Sequence, residues 1–257
     1  MMTTMTLNVC LAGITGWVGR PLAAAIAQSD DLQLVAAVAR KARGTEVEGV
    51  TVSGSVEEAL ATPCDVYVDY TSAESVKVNV LKAIAARRHV VIGSSGLGDD
   101  DFAELDAAAR VQNVGVIAVG NFAIAAALLQ RFAAEAAPHF TAWEIIDYAH
   151  DSKVDAPSGT ARELAWRLGQ AGVSRPAVPL DETLGPRESR GASVSGVQVH
   201  SLRLPGYTIG VEVHFGREDE RLTLRYDGGT GAGPYIAGTL LAIRRVPQLI
   251  GVVRGLL

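Results

Sequence analysis

One stretch constrains the fold more than any other. The apolar run Leu7–Ala12 feeds into Gly13, Gly16 and Gly19, and then into the alanine-rich residues 21–28. In the spacing Gly-x-x-Gly-x-x-Gly the first glycine permits a tight turn, the second lets a phosphate approach the backbone, and the third lets helix and strand pack closely. The first N–H groups of the helix and its positive dipole end then face an anion. A second apolar run, Leu32–Val38, completes a βαβ unit of ordinary length. Gly13, Ile14, Thr15, Gly16, Trp17, Val18 and Gly19 are therefore the candidate cradle for a dinucleotide. Trp17 either flanks the pyrophosphate or packs under the first helix.

Strand and helix patterns continue to alternate, with helices predicted over residues 55–61, 72–87 and 99–112 and strands over 66–70, 89–92 and 115–119. That order builds an α/β, Rossmann-like, doubly wound parallel sheet whose ligands bind along the edge where the strands end. The pattern changes near Asn121. A helix over 123–137, a strand over 142–148, a helix over 159–171 and apolar runs over 193–204, 208–215 and 221–226 predict a second α+β domain with a mixed or antiparallel sheet. Pro205 with Gly206, and Gly216 with its acidic neighbours, read as turns between antiparallel strands. Residues 235–243 and 247–257 read as apolar helices returning to the first domain. The expected division is 1–121 with 232–257 for the dinucleotide, and 122–231 for the substrate.

Bulk properties exclude several classes. A net charge of -5 without a long Lys/Arg run argues against nucleic acid as a partner. No apolar run reaches the roughly 20 residues that span a bilayer, and the first residues lack a signal-peptide pattern, so a cytoplasmic location is expected. Cys10 and Cys64 are spaced for neither a disulfide framework nor a metal, and the histidines form no ligand set.

Cofactor choice is legible at the end of the second strand. An NAD-preferring unit places a carboxylate there for the ribose 2′-hydroxyl; this chain has Ala39 followed by Arg40, Lys41 and Arg43. Guanidinium groups pair well with a 2′-phosphate, so NADPH is expected, with NADH as the alternative. The substrate is expected to be a small anion. In KVDAPSGTA, Lys153 supplies charge or a proton, and Ser158 caps a helix whose first residues, Gly159 and Thr160, present N–H groups to an oxyanion.

These residues resemble dihydrodipicolinate reductases. The likeness spans nearly the whole chain: the glycine turn, VDYTSAES from Val68, VIGSSG from Val91, GNF from Gly120, EIIDYAH from Glu144, KVDAPSGTA, VHSLRLPG from Val199 and ERLTL from Glu220. It implies an NAD(P)H-dependent oxidoreductase of the diaminopimelate and lysine route that reduces a cyclic imine dicarboxylate. It also implies two domains closing over the ligands, and a homotetramer assembled through the second domain. Gly93, Ser94, Ser95, Gly120, Asn121 and Phe122 are then expected beside the nicotinamide, and His150, Lys153, Ser158, Gly159 and Thr160 around the substrate carboxylates.

The chain departs from the family pattern where the resemblance implies a pair of histidines, the first a general acid: the two places hold Ala149 and His150. Gly210, Val211 and Glu212 stand where Gly-Glu-His is often found, and Gly231 where an arginine is expected. Three readings follow. His150, Lys153 or Tyr148 supplies the proton and the family reaction persists; or a different imine or enamine is reduced; or the chain binds cofactor with little turnover. Tyr148 qualifies as a donor if a neighbouring cation lowers its pKa.

Overall fold

The computed structural model describes residues 6–257. The chain divides into two compact units, one running to Ala123 and resuming over Ala232–Leu256, the other spanning Ile124–Gly231 with Leu257. The first contains β1 (Leu7–Ala12), α1 (Gly19–Ala27), β2 (Leu32–Val38), β3 (Glu46–Val47), β4 (Val50–Ser53), α2 (Val56–Leu60), β5 (Val66–Asp69), α3 (Val76–Ala85), β6 (His89–Ile92), α4 (Asp99–Gln112) and β7 (Gly115–Ala118). The second contains α5 (Ile124–Ala136), β8 (Ala142–Ala149), α6 (Gly159–Ala171), β9 (Ala192–Val194), β10 (Val197–Arg203), β11 (Ile209–Arg217) and β12 (Glu220–Gly228). Finally α7 (Gly233–Arg245) and β13 (Gly251–Arg254) belong to the first unit again.

The first unit is a sheet in the order β13-β7-β6-β5-β1-β2-β4-β3, parallel except for β3. Its strands are apolar on both faces because both are covered: Val9, Leu11, Val66, Val68, Val90 and Val91 are fully buried. Burial of such a side chain contributes about 1.5–3 kcal/mol. The strand order reverses between β1 and β5, so the loops after these strands diverge and leave a crevice. Both cysteines are free and buried in this unit.

Several elements differ from the sequence reading. Helix α3 begins at Val76 rather than at residue 72: residues 72–75 form a turn in which the Ser75 N–H and hydroxyl donate to the Ser72 carbonyl at 3.1 and 3.4 Å and the two serine hydroxyls bond at 3.0 Å. Serines compete in this way with helical geometry. Strands β3 and β4 form an unforeseen hairpin across Glu48 and Gly49, both at positive φ. The end of the chain is not a helix: β-branched Val252 and Val253 pair in parallel with Val116 and Ile117. Residues 193–204 split into β9 and β10 at Ser195 and Gly196, both at positive φ.

His89 makes the first unit sensitive to acid. Its Nδ1 accepts the Gly115 N–H at 2.9 Å, and burial lowers its pKa. The unfolded side chain titrates near about 6.5, so the stabilisation is complete above that value and is lost as pH falls through the lower folded value. Thermal melts between about pH 7 and pH 5 should show this loss in the native protein and not in His89→Asn; superimposable profiles would refute the assignment.

The second unit is a mixed sheet in the order β12-β11-β8-β10-β9, with β8 parallel to β10 and antiparallel to β11. Because β8 separates β10 from β11, Pro205 and Gly206 do not close a hairpin between paired strands, as the sequence reading had it. The Gly216 region does turn between paired strands, β11 and β12. Alternation gives the sheet two distinct faces. Trp143, Ile145 and Asp147 of β8 share one face with Val197, Val199 and Ser201 of β10 and with Val211, Val213 and Phe215 of β11. Helix α6 packs there, with Ala161, Leu164 and Leu168 buried.

Candidate functional site

The glycine turn has the geometry its spacing implies. Gly13 lies at φ +84°, and its N–H donates to the Val38 carbonyl at 2.9 Å, fastening the turn to β2. A Cβ on Gly13 would sit 2.1 Å from the Tyr70 carbonyl oxygen, and one on Gly19 2.1 Å from the Gly13 oxygen. Only hydrogen fits at either place. Helix α1 starts at Gly19 with no side-chain cap, and its Arg20 and Leu22 N–H groups donate to the Gly16 and Val18 carbonyls at 3.1 and 3.0 Å. Ile14 is buried, while Trp17 is 57% exposed and meets the Tyr235 ring edge-on at 5.4 Å. Trp17 therefore does not pack under the helix.

The other loops on this edge are held by one carboxylate. Asp69, fully buried at the end of β5, accepts from the Thr71 N–H and hydroxyl at 3.0 and 2.7 Å, the Ser94 hydroxyl at 2.7 Å and the Tyr67 phenol at 2.7 Å. Burial and the Asp69 charge push the Tyr67 phenol well above its ordinary pKa. Asp69 thus orders the 71–75 turn and the Gly93–Ser94–Ser95 segment together. The sequence shows only an acid at a strand end; its satisfied lone pairs become visible once the loops are in place. Gly93 packs its backbone on the Tyr70 ring, and Phe122, also buried, lies 5.9 Å from that ring. Asn121 is buried with its Oδ1 accepting the Ala123 N–H at 2.9 Å, whereas Gly120 is exposed. Arg40 and Lys41 are exposed in a short turn after Ala39, and Arg43 is engaged by Glu58 at 2.8 Å.

In the second unit the anion turn is built on Asp147, which is fully buried. Its oxygens accept from the Ser158 N–H at 2.8 Å and hydroxyl at 2.6 Å, and from Ser201 at 3.2 Å. Ser158 in turn caps α6, accepting the Ala161 N–H at 3.2 Å. The loop is tightened further by the Lys153 N–H donating to the His150 carbonyl at 3.0 Å. Lys153 Nζ lies 2.6 Å from Asp155 Oδ1, and His150 Nδ1 lies 2.8 Å from both Ser152 Oγ and Asp151 Oδ1. Burial raises the Asp155 pKa, but the Lys153 ammonium outweighs it and leaves the carboxyl below its ordinary value. Gly159 and Thr160 open α6, with Thr160 buried.

Tyr148 does not meet the condition set for a proton donor. It alternates to the other face of β8, where it is nearly buried, donates to Glu212 at 3.1 Å and stacks near Tyr207 at 5.2 Å. Burial and Glu212 raise its pKa in spite of Arg225 beside the ring. His200 and His214 are sheet positions bonded to Glu144 and Glu212 at 2.7 and 2.8 Å. Among the described residues no His/Cys/Asp/Glu group could hold a metal, and no helix is long and apolar enough to cross a membrane.

A glycine cradle at the reversal point of a doubly wound sheet, joined in one chain to a carboxylate-anchored lysine turn, marks a nicotinamide-dinucleotide-dependent oxidoreductase. Comparison with known proteins agrees: the N-terminal profile of dihydrodipicolinate reductase matches residues 7–122 and the C-terminal profile residues 125–255. The chain belongs to the dihydrodipicolinate reductase family. The 4-hydroxy-tetrahydrodipicolinate reductase of Moorella thermoacetica is 37% identical over 261 residues, covering 98% of this chain and 97% of its own. That of Desulfitobacterium hafniense is 36% identical, with 97% of each chain covered. A solved dipicolinate-bound dihydrodipicolinate reductase from a Paenisporosarcina species superposes with a TM-score of 0.80 at 30% identity over 98% of both chains. GenD2 of gentamicin A biosynthesis, solved with NAD, shares the fold at a TM-score of 0.67 and 15% identity.

Proposed function

We propose that this protein is an NADPH-dependent 4-hydroxy-tetrahydrodipicolinate reductase of the diaminopimelate and lysine route, acting on a cyclic imine dicarboxylate. The observation that carries this reading is the Lys153-to-Thr160 turn, fastened to a buried carboxylate in a chain both of whose halves match the family. The glycine cradle, which a single methyl group would fill, fits a dinucleotide pyrophosphate. When bound, the reduced nicotinamide supplies the hydride. The chain's own part is to hold the substrate carboxylates with Lys153, His150 and the first residues of α6, and to deliver a proton. Ala149 is fully buried and has no proton to give, so we assign delivery to His150 or Lys153 and none to Tyr148. Lys153 must release Asp155 to take a substrate carboxylate. An ion pair with about a third of each side chain exposed contributes about 1 kcal/mol or less, so the exchange is easy.

Binding of pyridine-2,6-dicarboxylate to the NADPH-saturated protein, measured by calorimetry, tests the substrate class. Saturable binding with no response to a neutral pyridine is expected; equal response to both removes the anion turn from the reading. NADPH is assigned over NADH on Arg40 and Lys41. Replacing both with alanine should raise KM for NADPH about 10-fold or more, the equivalent of one lost charge-assisted contact, and leave KM for NADH nearly unchanged. Equal effects on the two cofactors would defeat this assignment.

A further inference from the structure

We infer that Arg203 is the positioning residue of the anion turn, clamping the entry and exit of the loop that carries His150 and Lys153. The inference rests on the reading above, in which that turn takes a carboxylate.

Strand pairing puts Arg203 in place. Because β10 runs parallel to β8, Ser201 lies beside Asp147 and Arg203 beside Ala149. Along β10 the positions facing α6 run Val197, Val199, Ser201, Arg203, so the stripe changes from apolar to cationic where β8 reaches Asp147. A cation in register with core positions must find partners or pay a large desolvation cost. Arg203 finds them on both sides of the loop. Its Nη2 donates to Asp147 Oδ2 at 2.8 Å, before His150, and to the Asp155 carbonyl at 2.7 Å, after Lys153. Its Nη1 donates to the Leu202 carbonyl at 2.9 Å. One guanidinium thus spans the segment from 147 to 155.

The same Asp147 holds Ser158 and hence the start of α6. Arg203 and Asp147 together fix all three parts of the turn: the His150 and Lys153 loop, the Asp155 backbone from which Lys153 is oriented, and the Gly159–Thr160 helix start. The Arg203 side chain is 16% exposed and that of Asp147 not at all, so the pair is little screened by solvent or salt. Arg203 acts through the loop and is not a catalytic residue. A lysine keeps the charge but not the planar fork, so it cannot reproduce simultaneous bonds to a carboxylate and a carbonyl in fixed directions.

The test compares Arg203→Lys with the native protein by calorimetry and steady-state kinetics. Expected is a rise of about 10-fold or more in the Kd for pyridine-2,6-dicarboxylate and in substrate KM, since displacements on the order of 1 Å cost up to about 100-fold, with NADPH affinity unchanged. A purely structural role predicts a lower melting temperature and a smaller active fraction with diacid Kd and KM unaltered. That result overturns the inference, as does an equal loss of NADPH affinity. The double variant Asp147→Asn with Arg203→Met removes both charges without stranding either, and serves if the lysine variant folds poorly; it should show the same rise in Kd, and an unchanged Kd counts against the clamp. Native protein that binds NADPH but not the diacid overturns the reading of the turn itself, and this inference with it.

Discussion

Lys153→Met should lower kcat/KM for the imine substrate by at least about 100-fold, the lower bound expected when a positioned acid is removed, while NADPH affinity stays within about 2-fold. The reason is local. Lys153 is the one lysine of the anion turn, held near its working place by the His150 carbonyl and by Asp155. Methionine retains the aliphatic stem and loses only the ammonium. The kinetic pattern also separates its two roles. If the ammonium only binds carboxylate, KM rises and kcat holds; if it also delivers the proton, kcat falls with kcat/KM. Stopped-flow single turnovers at saturating substrate read the second directly.

Gly13→Ala should abolish useful dinucleotide binding. The φ of +84° costs a side chain about 1–2 kcal/mol, and the added Cβ would lie 2.1 Å from the Tyr70 carbonyl oxygen, which is backbone and cannot swing aside. The turn, the 70–71 segment or both must move. Dinucleotide affinity, followed by NADPH fluorescence, is expected to fall by about 30-fold or more, corresponding to roughly 2 kcal/mol or above. Melting temperature should fall as well. Normal NADPH binding by a well-folded Gly13→Ala protein would show that the pyrophosphate does not use this turn.

Much of this was legible in the chain because it is local. The run from Leu7 to Gly19 and the KVDAPSGTA turn each specify their own backbone, through glycine spacing in one and a serine cap in the other. Pairing partners are a different matter. The Val252 and Val253 run reads as part of a helix from its apolar character alone, and its pairing with the edge strand β7 makes it a strand instead. Pro205 and Gly206 signal a reversal correctly but say nothing of β8 lying between the strands they join.

The positioning residues were hidden for the same reason. Arg203 lies in VHSLRLPG, where its period-2 alignment with Val197 and Val199 is the only local signal of its place. Asp69 reads as an ordinary strand-end acid, yet its partners include Ser94, 25 residues further on. Tyr148 departs from expectation in the opposite sense. A nearby cation is present in Arg225, but Glu212 and burial outweigh it.

The reductase assignment requires that the dinucleotide cradle and the lysine turn serve one substrate. The most direct measurement is NADPH absorbance followed during addition of enzymatically generated 4-hydroxy-tetrahydrodipicolinate. Consumption of one NADPH per substrate by the native protein, nearly silenced in Lys153→Met, is the expected result. NADPH that binds tightly to the native protein and is never oxidised contradicts it.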